Sequence, residues 1–379
     1  MSEWKTVRLG DVCEIAAGQG APQGDSNYCD EGTPFVKAGN LIELIEGKSE
    51  KQIQKVSEEV AKSHKLKKYK ASSILFAKSG MSCMKGYVYQ LKNDCYVVSH
   101  LAIVKPKEDF SDYIEYCLRY IKPNTLVKDE AYPSISLQDI SNLQIPLPPL
   151  ETQKQIAAVL DKCTSLISKY KQILEKYDTL IKSRFIEMFE GNKYPRIAIS
   201  EMVEGKAPSA KKLFNKSDEI KYIDISSVDN KINEIVDYTE YIFENAPSRA
   251  QQYIRKNDIL ISTVRPNLKN IAINKLEYKE TVASSGFCVL RPKYVPEYLF
   301  IAVLQDKFTS DMVAVTTGAN YPAIKDSDIL NYEISNPPLE LQQQFAAFVQ
   351  RIDKSKFAIQ KSLEKAETLY KSLMQEYFG

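Results

Sequence analysis

The chain has only two histidines, His64 and His100, and seven cysteines, at positions 13, 29, 83, 95, 117, 163 and 288. The cysteines form no CxxC pair and no His/Cys cluster, and an odd number at this spacing fits neither a zinc site nor a disulfide framework. Reduced thiols in a cytoplasmic protein are the simple expectation. Neither histidine has an acid or thiol nearby at metal-ligand spacing. A GxxxxGK[ST] loop is missing, which excludes the usual route to ATP hydrolysis. A GxSxG nucleophile elbow is missing as well. No run of about 18 apolar residues suggests a membrane span, and the opening MSEWKTVRLG has no apolar signal core.

Charge of one sign is also lacking. The net charge is +2, residues 1–147 carry 19 basic and 19 acidic side chains, and residues 191–336 again carry 19 of each. A strongly basic domain is the usual footprint of nucleic-acid binding. Any such role here must rest on local arrangement, or on a partner that supplies most phosphate contacts.

What is present is a duplication. Pro148 to Ala158 reads PPLETQKQIAA, and Pro337 to Ala347 reads PPLELQQQFAA, with eight of eleven positions identical at an offset of 189. At the same offset Ala131-Tyr132-Pro133 faces Asn320-Tyr321-Pro322, and Asp139-Ile140 faces Asp328-Ile329. Farther upstream the offset drifts. Ser73-Ile74-Leu75-Phe76-Ala77 matches Asp258-Ile259-Leu260-Ile261-Ser262 at 185, and Thr6-Val7-Arg8 loosely matches Arg196-Ile197-Ala198. The chain of 379 residues, 44% hydrophobic and 26% charged, therefore divides into block (1–147), helix (148–190), block (191–336) and helix (337–379), a size and composition suited to two domains plus extra helices.

Each proline pair opens a heptad pattern. Ile156, Leu160, Cys163, Ile167, Tyr170, Leu174, Tyr177 and Ile181 step by four and three, with a second stripe at Val159, Leu166, Ile173 and Leu180. Adding 189 gives Phe345, Val349, Ile352, Lys356, Ile359, Leu363, Ala366 and Tyr370, with Lys356 alone breaking register. An a/d seam wants a partner helix, and two equal rods of roughly 57 Å, at ~1.5 Å per residue, most simply pair antiparallel within the chain. Pairing between chains is the rival. Prolines before each helix set its start.

The blocks read as mixed α/β with many short strands. In the first block these are Pro34–Lys37, Ser73–Ala77, Gly86–Leu91 and Cys95–Ser99. In the second they are Lys221–Ile225, Ile259–Ser262, Ile271–Ile273 and Phe287–Leu290. Short helices are expected at Ser111–Ile121 and Pro296–Phe308. Asn336-Pro337-Pro338-Leu339 looks like the Asn-Pro-Pro-aromatic motif of amino-methyltransferases, but its fourth residue is Leu, its twin at Leu147 lacks the Asn, and no glycine-rich turn that could hold S-adenosylmethionine precedes it. The start of a helix is the better reading, and catalysis by this chain alone is not expected.

Block, PPLExQ helix, block, same helix: this order resembles the specificity subunit of Type I restriction-modification enzymes. Pro148–Ile156 and Pro337–Phe345 carry the resemblance, with Asp258–Pro266 and Thr317–Ile324 in the second block. It covers essentially the whole chain. It implies two target recognition domains, each reading half of a bipartite site in double-stranded DNA, and an antiparallel coiled coil that sets the unread spacer. It further implies two methyltransferase subunits that bring S-adenosylmethionine and methylate adenine N6. Two restriction subunits would bring ATP and magnesium. The chain itself would hold no cofactor and no metal and would contact no membrane. A DNA methyltransferase fragment and a coiled-coil adaptor with no DNA role are the competing readings.

In a major groove, Arg and Lys favour guanine and Asn and Gln favour adenine. Polar residues on turns beside strands are therefore the candidate DNA contacts: Lys37, Asn40, Lys78, Ser79, Lys85 and His100 in the first block, and Ser226, Arg265, Asn267, Lys269, Asn270 and Ser285 in the second. Arg265, before Pro266 and after an apolar strand, is foremost; a surface ion pair is the alternative for any one of them. By alignment Lys78 stands where the second block has Val264-Arg265. Tyr132 and Tyr321 are expected to close each block against its helix. Lys65-Leu66-Lys67-Lys68-Tyr69-Lys70 is either a phosphate grip or a solvated face.

Overall fold

A computed structural model describes residues 4–108, 110–190, 194–318 and 322–379. The chain forms two units, Met1–Tyr170 with Ser362–Gly379, and Lys171–Lys361. Each unit contains one block and part of both long helices, which run Leu150–Phe185 and Leu339–Phe378. A π-helical turn, Ile186–Glu190, follows the first helix.

The two helix starts are built alike. Proline has no N–H to leave unsatisfied in a first turn, and each helix begins directly behind its proline pair. The repeated glutamine closes the joint. Gln153 Nε2 donates to the Pro148 carbonyl at 2.7 Å, and Gln342 Nε2 donates to the Pro337 carbonyl at 2.9 Å. Both side chains are buried, so each amide replaces a hydrogen bond that water cannot reach. This explains why the Gln belongs to the repeat, and it identifies Asn336-Pro337-Pro338-Leu339 as part of a helix start.

The seam follows the heptads. In the first unit Ile156 and Leu160, near the start of one helix, share a core with Met374, Tyr370 and Phe378 at the end of the other. In the second unit Ile181, Phe185 and Phe189 share a core with Phe345, Val349 and Ile352. Within each unit the pairing is thus antiparallel. Lys356 sits in the seam because Asp178 answers it, accepting from its Nζ at 2.6 Å. The second stripe is left uncovered: Val159, Leu166 and Leu180 are 37%, 42% and 45% exposed.

The block of the first unit carries a four-stranded antiparallel sheet in the order Cys13–Ala17, Leu101–Pro106, Ile74–Ala77, Val88–Gln90. A three-stranded sheet, Lys55–Val56, Thr33–Val36, Tyr96–Val97, lies in the same block. The carboxylate of Glu50, 1% exposed, ties the block together by accepting from Tyr89 Oη at 2.9 Å, Lys92 N at 2.6 Å and Asn93 Nδ2 at 2.7 Å. The helix Ser111–Ile121 forms as expected. The stretch expected to be one strand, Cys95–Ser99, is cut short at Val97 by a turn through Ser99 and His100, after which the buried strand Leu101–Pro106 begins.

The second unit repeats this centre. Ile259–Ser262 lies between Ile271–Ile273 and Phe287–Leu290, all antiparallel. Its second sheet is larger, in the order Thr239–Ile242, Glu219–Ile223, Thr281–Ser284, Ala250–Tyr253. The expected strand Lys221–Ile225 ends at Ile223, because the Asp224 carboxylate accepts from Ile225 N and begins a 3-10 turn. The expected helix Pro296–Phe308 is two helices, Pro296–Val303 and Asp306–Ala314, broken where Gln305 takes an extended backbone. In both units a short antiparallel strand pair joins the chain before the block to the chain after it: Thr6–Arg8 with Gln144–Pro146, and Arg196–Ala198 with Glu333–Ser335.

Candidate nucleic-acid interface

The central strand of each block ends in a turn held by the same three backbone hydrogen bonds. In the first unit Lys78 N donates to His100 O at 2.9 Å, Ile135 N to Lys78 O at 2.8 Å, and Gly80 N to Pro133 O at 3.0 Å. In the second, Thr263 N donates to Gly286 O at 2.9 Å, Ile324 N to Thr263 O at 2.9 Å, and Arg265 N to Pro322 O at 2.8 Å. These bonds define the correspondence. Lys78 matches Thr263, Ser79 matches Val264, Gly80 matches Arg265, and His100 matches Gly286. The sequence alignment that set Lys78 against Val264-Arg265 is therefore corrected, because the backbone register places Gly80 opposite Arg265.

Gly80 and Arg265 both have positive φ, +75° and +50°, but differ in ψ: Arg265 at 62° is left-handed helical, whereas Gly80 at 177° lies where only glycine is unstrained. A left-handed conformation costs a non-glycine residue roughly 1–2 kcal/mol, so holding Arg265 there is a commitment the surrounding turn must stabilise. Arg265 is exposed, and Pro266 behind it opens the 3-10 turn Pro266–Leu268. Asn267 is exposed on that turn. Lys269, also left-handed at φ +53°, makes an ion pair with Asp306. Asn270 accepts from Ser262 N through its backbone carbonyl at 2.9 Å. Ser285 is exposed beside Gly286, and Ser226 is exposed on the 3-10 turn Ile225–Ser227.

In the first unit the structure brings Ser79 and His100 together, Oγ to Nδ1 at 2.8 Å. Among the described residues no carboxylate hydrogen-bonds His100, so the pair lacks the third member of a hydrolytic triad. Lys78 is half-buried and Lys85 is exposed at the end of the 3-10 turn Met81–Lys85. Lys37 follows Val36, whose carbonyl accepts at 3.0 Å from Val98 N, two residues before His100. Asn40 Oδ1 accepts from Lys37 N at 2.9 Å at the start of a helix, while Lys37 Nζ donates to Gln54 Oε1 at 2.7 Å and lies 4.3 Å from the Tyr28 ring centre. In the lysine-rich run, Lys70 pairs with Asp94 at 2.8 Å, and Lys67 and Lys68 lie over the rings of Tyr69 and Tyr96.

Tyr132 does not close its block. It is 82% exposed, because the Asp129 carboxylate accepts from the N–H groups of Ala131 and Tyr132 and turns the ring outward. It stands next to Pro133, whose carbonyl holds Gly80, and Met81 is 70% exposed on the other side of that glycine. The sequence gives Tyr132 a closing role and does not single out Met81. The signal was available only in the tight turn that the Asp129 side chain organises. Tyr321 lies outside the described residues.

Among the described residues no group of three or more His, Cys, Asp and Glu side chains could hold a metal ion, and no helix is long and apolar enough to cross a membrane. A cavity of about 190 Å³ in the second unit is lined by charges that answer one another: Lys275 lies 3.0 Å from Glu234 and 3.7 Å from Asp353, and Lys356 pairs with Asp178.

Comparison with known proteins agrees with this duplicated plan. The family model described as "Type I restriction modification DNA specificity domain" matches residues 1–176 and again 198–368. The chain is 30% identical over 176 residues to the Type I restriction enzyme MjaIX specificity subunit of Methanocaldococcus jannaschii, covering 45% of this chain and 40% of that protein's length. It is 25% identical over 293 residues to the MjaVIII specificity subunit of the same organism, covering 69% of this chain and 68% of that protein. Among solved structures, the fold resembles the S subunit of a Type I restriction-modification system from M. genitalium, with a TM-score of 0.60 at 14% identity over 100% of this chain and 96% of the other. A chain from a study of assembly and conformational transition in the type I R-M system has a TM-score of 0.55 at 17% identity, over 100% of this chain and 98% of that one.

Proposed function

The chain belongs to the family of Type I restriction-modification DNA specificity proteins, and from that membership we propose that it is a non-catalytic subunit that reads a bipartite site in duplex DNA and scaffolds its partners. Residues 1–147 and 191–336 are the two target recognition domains, and residues 148–190 and 337–379 are the helical spacers between the half-sites. The observation that carries this reading is the duplicated turn at the end of each central strand, with one hydrogen-bond frame and different side chains. Direct readout needs polar groups held rigidly at a base edge, and a common frame with changed side chains is how one fold would read two sequences.

In this reading Arg265, with Asn267, Lys269, Asn270, Ser226 and Ser285 around it, meets one half-site. Lys78, Ser79, Lys85 and His100 meet the other, together with Lys37 and Asn40. Two methyltransferase subunits bind S-adenosylmethionine and methylate adenine. Restriction subunits use ATP and magnesium. The methyltransferases dock on the uncovered apolar stripe, which in the first unit includes Val159, Leu166 and Leu369 and in the second Leu180, all exposed. Exposed apolar side chains in a row on a helix are more often covered by a partner than left in water.

The test is co-expression with the cognate methyltransferase subunit in a host free of adenine methylation, followed by mapping of methylated adenines. A two-part motif with a fixed gap, absent when this chain is omitted, is the expected result. Assembly without any methylated motif would favour an adaptor with no DNA role.

A further inference from the structure

The two reading turns differ by an exchange of glycine. In the second unit the position of Arg265 carries a long cation and the position across the turn is Gly286. In the first unit the corresponding positions are Gly80 and His100. The glycines differ in kind. At Gly286 a Cβ would meet Ile225 Cδ1 at 2.9 Å, a contact relieved only if the tip of that side chain moves. At Gly80 a Cβ would meet nothing within 4 Å, but the backbone there, at φ +75° and ψ 177°, is strained for any other residue, so the position stays bare. Each unit therefore presents one polar side chain at the turn, from opposite sides of the same frame.

We infer that His100, oriented by Ser79, is the base-reading group of the first unit and does the work that Arg265 does in the second. This rests on the proposed DNA-reading function. A neutral imidazole has one donor nitrogen and one acceptor nitrogen. Among the described residues His100 Nδ1 is the one hydrogen-bond partner of the Ser79 hydroxyl, at 2.8 Å. The hydroxyl has no other acceptor among the described residues, so Ser79 is taken as the donor; Nδ1 is then the acceptor and Nε2 carries the hydrogen. His100 then offers a single N–H donor beyond the turn, whereas a guanidinium offers a two-pronged fork. On a major-groove edge the fork matches guanine O6 and N7 together, while a single donor is satisfied by N7, which both purines present; thymine O4 also accepts, but its neighbouring 5-methyl group crowds an imidazole. The half-site read by the first unit should therefore contain a position that accepts either purine. Ser79 is a positioning residue that acts through the tautomer of His100.

The experiment maps adenine methylation by the complex with its methyltransferase subunit, using the unaltered chain and His100→Ala, Ser79→Ala, Ser79→Thr and Arg265→Ala. The expected motif has a purine-degenerate position in one half. His100→Ala should relax that position to any base and leave the other half unchanged, while Arg265→Ala should alter only the other half. Ser79→Ala should relax the same position as His100→Ala, and Ser79→Thr, which keeps the hydroxyl, should restore it. Because His100 is exposed, co-purification with the methyltransferase serves as the check on folding. The inference is overturned if the unaltered motif has no such position, or if His100→Ala leaves the motif intact or alters the same half as Arg265→Ala. It is overturned as well if Ser79→Thr behaves as Ser79→Ala. If the unaltered complex methylates no two-part motif, the proposed function itself fails, an outcome distinct from a motif that ignores His100.

Discussion

Arg291 clamps Asp258 in the second unit, donating from Nε to Oδ1 at 2.9 Å and from Nη2 to Oδ2 at 2.7 Å, with side chains only 8% and 2% exposed. Asp258 also accepts from Arg255 N at 2.8 Å, so the pair fixes the start of the strand that ends in the Arg265 turn. Removing one partner leaves a buried charge uncompensated, a loss of about 3–5 kcal/mol. Asp258→Ser should cost that much in urea unfolding of the second unit. The first unit has Ser73 and Lys105 at the matching positions of its central strand and the strand beside it. The double change Asp258→Ser with Arg291→Met, which removes both charges, should be milder than Asp258→Ser alone; an equal or larger loss would show that the uncompensated charge is not the cause.

The glutamines of the repeat make a second prediction. Gln153→Ala and Gln342→Ala each remove a buried amide that satisfies a proline carbonyl, at a cost of about 1–3 kcal/mol. The loss should appear as faster amide hydrogen exchange in the first turns of the affected helix, with the later turns unchanged. Uniform acceleration along the helix would argue against a local joint.

Lys356 and Asp178 give a third. Both are partly exposed, at 26% and 47%, so the pair is worth no more than about 1 kcal/mol. Asp178→Ala should destabilise by about that amount. Lys356→Leu, which restores the apolar heptad, should be neutral or stabilising. If Lys356→Leu destabilised by several kcal/mol, the seam at this point would be polar by requirement.

Alkaline pH should expose the buried thiols. Burial pushes Cys13, Cys95 and Cys288 up to about 12 from an ordinary 9.0. A thiol whose folded value is raised favours the folded state fully below pH 9, and this contribution fades as pH climbs toward 12. Unfolding midpoints should fall across that window, less steeply in Cys→Ala variants. At neutral pH an alkylating reagent should label exposed Cys29 and partly exposed Cys163 and spare the five buried cysteines.

The long helices were legible because their apolar period holds over 36 and 40 residues, and Ile259–Ser262 and Ser111–Ile121 because their bounding residues change character abruptly. Leu101–Pro106 was not, since a strand buried along most of its length shows no alternation and ran on from the apolar Val97-Val98. The break at Gln305 was hidden because the residues on both sides form good helices. At the site, His100 and Arg265 were visible as polar residues near strand ends. Their correspondence to Gly286 and Gly80 was not, because it depends on backbone hydrogen bonds from Ile135 and Ile324, segments far away in sequence. Tyr132 was misjudged because repetition was taken to mean packing, whereas its surroundings are decided by Asp129.

Each glutamine at a helix start bonds to a proline five residues before it, and beyond that, among the described residues, only Gln342 reaches the block, to its last residue, Asn336, at 3.5 Å. Such a junction works like a standard fitting. A genetic crossover within the repeated Pro-Pro-Leu-Glu stretch would hand a new block to an unaltered helix without disturbing the chemistry of the joint. Lineages carrying this chain could thereby exchange half of what it reads in one event, and keep the surfaces on which the rest of the assembly is built.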